Sequence, residues 1–208
     1  DTNMKTSIKL CGFKYIEDII FATSLDIDYL GMIFVENAQR TIDLDTAIHS
    51  VQICKESGVK SVGVFLNQDP SEIETILNNV DLDILQLHGD ENVEDYRVFN
   101  KDIIKTLHAY EGLSLNGRDF DSDNLDYLLD ASTNDLHGGT GKCFDWKILK
   151  DVPVEKLFVA GGLKPDNIID LLSNFKPKCV DVSSGIENKS GHKDHGLMSD
   201  FVQKIRTY

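Results

Sequence analysis

Eight short runs of apolar, largely β-branched residues recur along the chain, and they predict eight β-strands. The runs cover residues 7–10, 29–34, 61–66, 84–87, 103–108, 127–130, 157–160 and 179–183. Each run is almost continuously hydrophobic instead of strictly alternating, which is typical of strands buried on both faces of a parallel sheet. The pattern therefore indicates an α/β protein whose sheet is covered on both sides.

Segments with helical periodicity lie between most of these strands. They cover residues 15–25, 45–57, 71–79, 93–100, 165–175 and 196–207. Ser71 follows Pro70 and precedes Glu74 at capping-box spacing, and Pro165 suits the first turn of a helix. Both features predict helix starts.

Strands that alternate with helical crossovers fit either a closed (β/α)₈ barrel or a doubly wound open sheet. The count of eight strands favours the barrel. We predict a single (β/α)₈ TIM barrel over residues 4–208, with a short or irregular fifth helix in residues 111–124 and a long loop after strand six. We expect residues 1–3 to be a remnant that precedes the barrel.

Composition and charge narrow the choice of partner. The 208 residues are 41% hydrophobic and 27% charged, the balance of a globular protein, and the formal net charge is −14. The negative electrostatic field of such a chain repels nucleic acid. A small anionic ligand would therefore need a local Arg or Lys and a cluster of backbone N–H groups. No apolar run reaches the roughly 18–20 residues of a membrane span, and we expect a cytoplasmic protein without a membrane partner.

Several cofactor and metal motifs fail on inspection. The segment Gly138-Gly139-Thr140-Gly141-Lys142 lacks the first glycine of a P-loop, and Cys143 stands where Ser or Thr would hold Mg²⁺. A dinucleotide fingerprint that starts at Gly139 fails at Phe144. The four cysteines show no CxxC spacing, so we expect neither a disulfide nor a zinc site. We predict no cofactor and no metal.

Glycine and small polar residues end the last two predicted strands. Gly161-Gly162 follows strand seven, and Ser183-Ser184-Gly185 follows strand eight. Parallel barrels commonly bind phosphate in these two loops, through backbone N–H groups and the N-terminus of a short extra helix. Each loop alone could be a tight turn, but the two together favour a phosphate site.

Seven blocks of sequence, in register from Ile8 to about Ile205, together resemble the phosphoribosylanthranilate isomerase family of tryptophan biosynthesis. The blocks are Ile8-Lys9-Leu10-Cys11-Gly12, Val62-Gly63-Val64-Phe65 with Asn67, Leu85-Gln86-Leu87-His88-Gly89, Leu128-Leu129-Asp130, Gly138-Gly139-Thr140-Gly141-Lys142 with Phe144-Asp145-Trp146, Ala160-Gly161-Gly162-Leu163, and Val180-Asp181-Val182-Ser183-Ser184-Gly185. The resemblance implies a barrel without metal or organic cofactor and an Amadori rearrangement of N-(5-phosphoribosyl)anthranilate.

The same resemblance assigns roles to individual side chains. It implies that Cys11 is the general base, that Asp130 is the general acid and that Arg40 binds the substrate carboxylate. We expect the phosphate to lie over Gly162, Ser184 and Gly185, bound by backbone N–H groups. The residues before Arg40 depart from the family's usual Lys-Ser-Pro/Lys pattern. The implied partner is a small phosphorylated molecule, and the chain is expected to be a monomer or a homodimer.

Strand parity adds one structural prediction. Lys9 and Asp181 can both point into the barrel, where an unpaired charge is costly, so we expect them to form an ion pair.

Other activities remain open at this point. A sibling isomerase of histidine biosynthesis performs the same rearrangement but carries Asp where this chain has Cys11. A metal-dependent ribulose-phosphate epimerase needs paired His and Asp ligands, which His88 alone does not supply. A catalytically silent barrel that binds a phosphorylated ligand is a third alternative.

Overall fold

The eight predicted strands form a closed parallel barrel in the order β1 to β8, with β8 paired to β1. The computed structural model describes residues 5–109, 113–132, 146–189 and 191–208. The strands are β1 Ser7–Leu10, β2 Tyr29–Ile33, β3 Lys60–Phe65, β4 Ile84–Leu87, β5 Asp102–His108, β6 Leu125–Asp130, β7 Leu157–Ala160 and β8 Cys179–Val182. The closed (β/α)₈ TIM barrel is confirmed, and the open sheet is excluded.

Five α-helices cover the described outer face of the barrel. They are α1 Ile16–Thr23, α2 Leu44–Ser57, α3 Pro70–Leu77, α4 Ile168–Asn174 and α5 His195–Thr207. Helix α2 begins where the Asp43 side chain accepts the Thr46 N–H, and it ends at Gly58, whose φ of 72° only glycine adopts readily. No helix in the described residues is long and apolar enough to cross a membrane.

Two predicted helix starts are wrong by a few residues. The capping box of α3 uses Asp69 and Glu72 instead of Ser71 and Glu74, because proline fits the first helical position and so makes the preceding residue the N-cap. Pro165 lies in a turn ahead of α4, which begins only at Ile168.

The crossovers on either side of β5 are the least regular. A 3₁₀ helix, Val93–Phe99, joins β4 to β5, and the described residues 113–124 between β5 and β6 contain turns but no helix. After β6 the described chain resumes in 3₁₀ helices, Trp146–Asp151 and Val154–Lys156. The irregular fifth crossover is therefore confirmed. The predicted remnant 1–3, the glycine-rich segment 138–142 and Cys143 lie outside the described residues.

Apolar side chains fill both the barrel interior and the layer between strands and helices. An interior cluster comprises Val62, Ile84, Ile104, Leu128, Phe158, Ala160 and Cys179, and a larger cluster packs the helices onto the strands. This burial is the main stabilising contribution, and it leaves the polar strand ends free to serve a site.

A buried ion pair joins the two strands that close the barrel. Lys9 lies opposite Asp181 in the β1–β8 register, and Lys9 Nζ donates to Asp181 Oδ2 at 3.0 Å. Burial by itself lowers the pKa of Lys9, but the negative charge of Asp181 and its hydrogen bond outweigh this effect and raise that pKa. Lys9 is therefore charged, and the predicted pair is confirmed.

Removal of one partner of this pair is expected to destabilise the protein strongly. Lys9→Met leaves the Asp181 carboxylate buried without its cation, which costs about 3–5 kcal/mol of unfolding free energy. Lys5→Met is the matched control, because Lys5 pairs with Asp26 on the surface and such pairs contribute less than about 1 kcal/mol. Denaturant unfolding measures both variants, and equal losses would contradict the assigned role of the buried pair.

Candidate active site

A cavity of about 430 Å³ opens at the carboxyl ends of the barrel strands. This volume is typical of a small-molecule site. Five of the six predicted site residues line the cavity, namely Cys11, Arg40, Asp130, Gly162 and Ser184. The sixth, Gly185, follows Ser184 in the chain but is not among the lining residues. The walls are otherwise largely apolar, as in most small-molecule pockets.

Cys11 directly follows β1 and is held in place by the neighbouring strands. Its N–H donates to the Val182 carbonyl of β8 at 2.9 Å. On β2, Gly31 leaves room for the sulfur, because a Cβ atom there would stand 2.4 Å from Cys11 Sγ. Burial raises the pKa of the thiol, and the positive charges of Lys9 and Lys193 oppose that rise only in part. The free protein therefore holds Cys11 mainly as the neutral thiol at pH 7.

Asp130 is the last residue of β6, across the barrel mouth from Cys11. Its Oδ1 atom accepts hydrogen bonds from the Ser132 N–H at 2.9 Å and from Ser132 Oγ at 2.7 Å. Oδ2 accepts no hydrogen bond from the described residues. The carboxyl group is therefore oriented through one oxygen, and the other remains available to a ligand.

The loops after β7 and β8 have the features of an anion site. Gly162 has a φ of 67°, and a short 3₁₀ helix, Ser184–Ile186, begins in the loop after β8. Gly185 packs so closely on the Leu163 carbonyl that a Cβ atom would lie 1.9 Å from the oxygen. Because the first N–H groups of a helix have no intrahelical acceptor, Ser184 and Gly185 can donate to an oxyanion.

Arg40 enters the cavity as part of a cluster of three charged residues. Its Nε and Nη2 atoms donate to the Glu187 carboxylate at 2.8 and 2.7 Å, which is a bidentate contact. Lys193 Nζ donates to the same carboxylate and to the Ser183 carbonyl, each at 3.0 Å. Nη1 of Arg40 donates to no acceptor among the described residues, so its donors are available to a ligand.

The charge balance within this cluster fixes the ionisation of its members. Burial tends to raise the pKa of Glu187, but the hydrogen bond from Arg40 and the charge of Lys193 lower it below its ordinary value. The hydrogen bond to Glu187 raises the pKa of Arg40. Glu187 is thus a fixed anion that holds the guanidinium in the cavity wall.

Sequence reasoning missed Glu187, Lys193 and His108. Glu187 and Lys193 lie on the hairpin of β9 Glu187–Lys189 and β10 His192–Lys193, which follows the predicted phosphate loop. The sequence carried one indirect signal for Glu187: in a strongly acidic chain, a single arginine at an anion site is expected to pair with a carboxylate. His108 ends β5 and contacts His88, with the ring centroids 4.9 Å apart.

Asp181 has a second feature that the predicted ion pair does not explain. It lines the cavity, and its Oδ1 atom is buried without a hydrogen-bond partner in the described part of the chain. An unpaired buried carboxylate oxygen beside a cavity is suited to accept a hydrogen bond from a ligand hydroxyl.

Comparison with known proteins agrees with this geometry. The family model described as N-(5'phosphoribosyl)anthranilate (PRA) isomerase matches residues 8–204. The chain belongs to the PRA isomerase family. An N-(5'-phosphoribosyl)anthranilate isomerase from Caldanaerobacter subterraneus subsp. tengcongensis is 38% identical over 205 residues, which cover 96% of this chain and 97% of that relative.

Solved structures of PRA isomerases match the whole barrel. The phosphoribosyl anthranilate isomerase of Thermotoga maritima is 31% identical with a TM-score of 0.82, and the match covers 98% of this chain and 100% of that one. A PRA isomerase in complex with reduced 1-(o-carboxyphenylamino)-1-deoxyribulose 5-phosphate is 28% identical with a TM-score of 0.79 and the same coverage. The chain is therefore an isomerase, and the epimerase and the silent barrel are set aside.

Glu187→Gln is expected to weaken substrate binding in this isomerase. The amide keeps the size of the side chain but loses the charge that orients Arg40, and a hydrogen bond to a charged group contributes about 1.5 kcal/mol. We expect KM to rise about tenfold while kcat changes little. Steady-state kinetics beside Glu17→Gln, an exposed control on α1, test this expectation. An unchanged KM would contradict the orienting role of Glu187.

Proposed function

We propose that this chain catalyses the Amadori rearrangement of N-(5-phosphoribosyl)anthranilate to 1-(2-carboxyphenylamino)-1-deoxyribulose 5-phosphate, in tryptophan biosynthesis. The observation that carries the proposal is that one cavity is lined by a thiol, a carboxyl group, an arginine and two glycine-rich loops. The substrate offers a C2′ proton, a ring oxygen, a carboxylate and a phosphate as their counterparts.

Asp130 acts as the general acid in the first step. It gives a proton to the furanose ring oxygen as the C1′–O bond breaks, and the nitrogen lone pair forms a C1′=N iminium ion. Ser132 holds Oδ1, so Oδ2 is the atom that carries this proton. Because the departing oxygen becomes a hydroxyl, the ring opens without an unfavourable alkoxide.

Cys11 acts as the general base in the second step. Its thiolate removes the C2′ proton, and the C2′–H electrons form a C1′=C2′ double bond that neutralises the iminium nitrogen. The resulting enolamine loses its C2′ hydroxyl proton and gains a proton at C1′, so the product is an isomer of the substrate. The iminium acidifies the C2′ proton, and this compensates for the small fraction of Cys11 that is present as thiolate.

Two anion sites position the substrate in the cavity. Arg40 binds the anthranilate carboxylate through the donors that Glu187 leaves free. The phosphate binds to backbone N–H groups of Gly162, Ser184 and Gly185. Asp181 Oδ1 accepts a hydrogen bond from a ribose hydroxyl. These contacts allow a strongly acidic chain to bind an anion.

The proposed activity has a direct assay. Freshly prepared phosphoribosylanthranilate loses its anthranilate-type fluorescence when it is converted, so the purified protein should accelerate this loss well above the uncatalysed background. A rate equal to the background would overturn the proposed function. The oligomeric state, monomer or homodimer, and the cytoplasmic location stay predictions.

Cys11→Ala and Asp130→Asn are each expected to abolish most turnover. General acid–base groups typically contribute about 10²–10⁴-fold, so kcat/KM should fall by that factor in either variant. Cys54→Ala is the matched control, because it removes a buried thiol on α2, away from the cavity. Near-normal turnover of either site variant, with a native circular dichroism spectrum, would refute its assigned role.

A further inference from the structure

Three potential metal ligands meet at the ends of three adjacent strands. His88 follows β4, and His108 and Asp130 are register partners at the ends of β5 and β6. Each residue offers one ligand atom, and the three atoms all lie within 4.8 Å of one another. It is the one such group of three or more among the residues that the structure describes.

Each of the three side chains is oriented by a hydrogen bond to an atom other than the three potential ligand groups. The Nε2 atom of His108 lies 2.8 Å from the His88 carbonyl oxygen and must donate to it, so Nδ1 of His108 carries the lone pair. His88 Nδ1 lies 3.3 Å from Thr106 Oγ1, and the Ser132 N–H donates to Asp130 Oδ1. One nitrogen of each ring and Oδ2 of Asp130 remain available. Metal-binding histidines are held in the same way, through the nitrogen that does not bind the metal.

We propose that His88, His108 and Asp130 bind one Zn²⁺ ion, and that this ion inhibits the isomerase. Two imidazoles and one carboxylate are a ligand set that Zn²⁺ takes in proteins, with a fourth position left open. Here that position faces the cavity, since His88 and Asp130 both line it. Zn²⁺ bonds of about 2.0–2.2 Å place tetrahedral ligands roughly 3.4 Å apart, so small side-chain movements complete the site.

Inhibition follows from the position of Asp130. A carboxylate bound to Zn²⁺ cannot carry the proton that ring opening needs, and the ion occupies space where the sugar binds. This consequence rests on the proposed role of Asp130, whereas Zn²⁺ binding itself does not. The proposal assigns the metal no part in the reaction.

The binding test uses the full chain without a histidine tag, after treatment with a chelator. Isothermal titration with Zn²⁺ should show one ion per chain. Substitution of a residue that only hydrogen-bonds a metal ligand typically lowers metal affinity about 10–100-fold. Substitution of a ligand itself should cost at least as much, so His108→Asn and Asp130→Asn should each weaken Zn²⁺ binding by more than about tenfold. The control His49→Gln removes an exposed histidine of α2 and should bind as the unaltered chain does.

Two further sets of measurements test whether Zn²⁺ binds at this cluster and whether the bound ion inhibits the enzyme. Cys11→Ala should retain Zn²⁺ binding, and Mg²⁺, which prefers oxygen ligands, should not compete. Zn²⁺ should stop turnover, and a chelator should restore it. The His108→Asn variant should need more than about tenfold more Zn²⁺ than the unaltered chain for the same fractional loss of turnover.

Absence of stoichiometric binding, unchanged affinity in both His108→Asn and Asp130→Asn, or loss of binding only in Cys11→Ala would overturn the proposal. Binding as expected by a chain that lacks isomerase activity would instead contradict the proposed function and leave the metal site standing.

Discussion

The ion pair between Lys9 and Asp181 is the constraint on which the site depends. It joins the first and last strands where the barrel closes, with Lys9 fully buried and Asp181 at the cavity. Its charges act on the thiol two residues beyond Lys9, since Lys9 lowers the pKa of Cys11 and Asp181 raises it. The same pair thus fixes the register of the closing strands and the electrostatic surroundings of the proposed base.

The rest of the site reconciles a net charge of −14 with an anionic substrate. Glu187 holds Arg40 at the cavity and is itself neutralised by Lys193. The proposed phosphate site, at the backbone N–H groups of Gly162 and Ser184, uses no side-chain charge. Arg40 and Lys193 are each held by Glu187, so their positive charge is fixed beside the cavity.

The sequence allowed the barrel and most of the cavity to be predicted, because parallel strands bring their carboxyl ends to one face. Cys11 and Asp130 could be placed there from strand ends alone, and strand parity was enough to pair Lys9 with Asp181. A carboxylate partner for Arg40 was to be expected, but the sequence could not show which one, since Glu187 lies 147 positions away and approaches through the β9–β10 hairpin. His108 was missed for a similar reason: its role depends on neighbours from β4 and β6.

The most direct measurement of the central claim is the ionisation of Cys11. Thiolate absorbance of the protein minus that of Cys11→Ala, followed against pH, gives the pKa of this thiol. We predict a pKa above the ordinary thiol value, because burial disfavours the thiolate, and a still higher pKa in Lys9→Met, where the neighbouring cation is absent. A pKa at or below the ordinary value, or one that Lys9→Met leaves unchanged, would contradict this prediction.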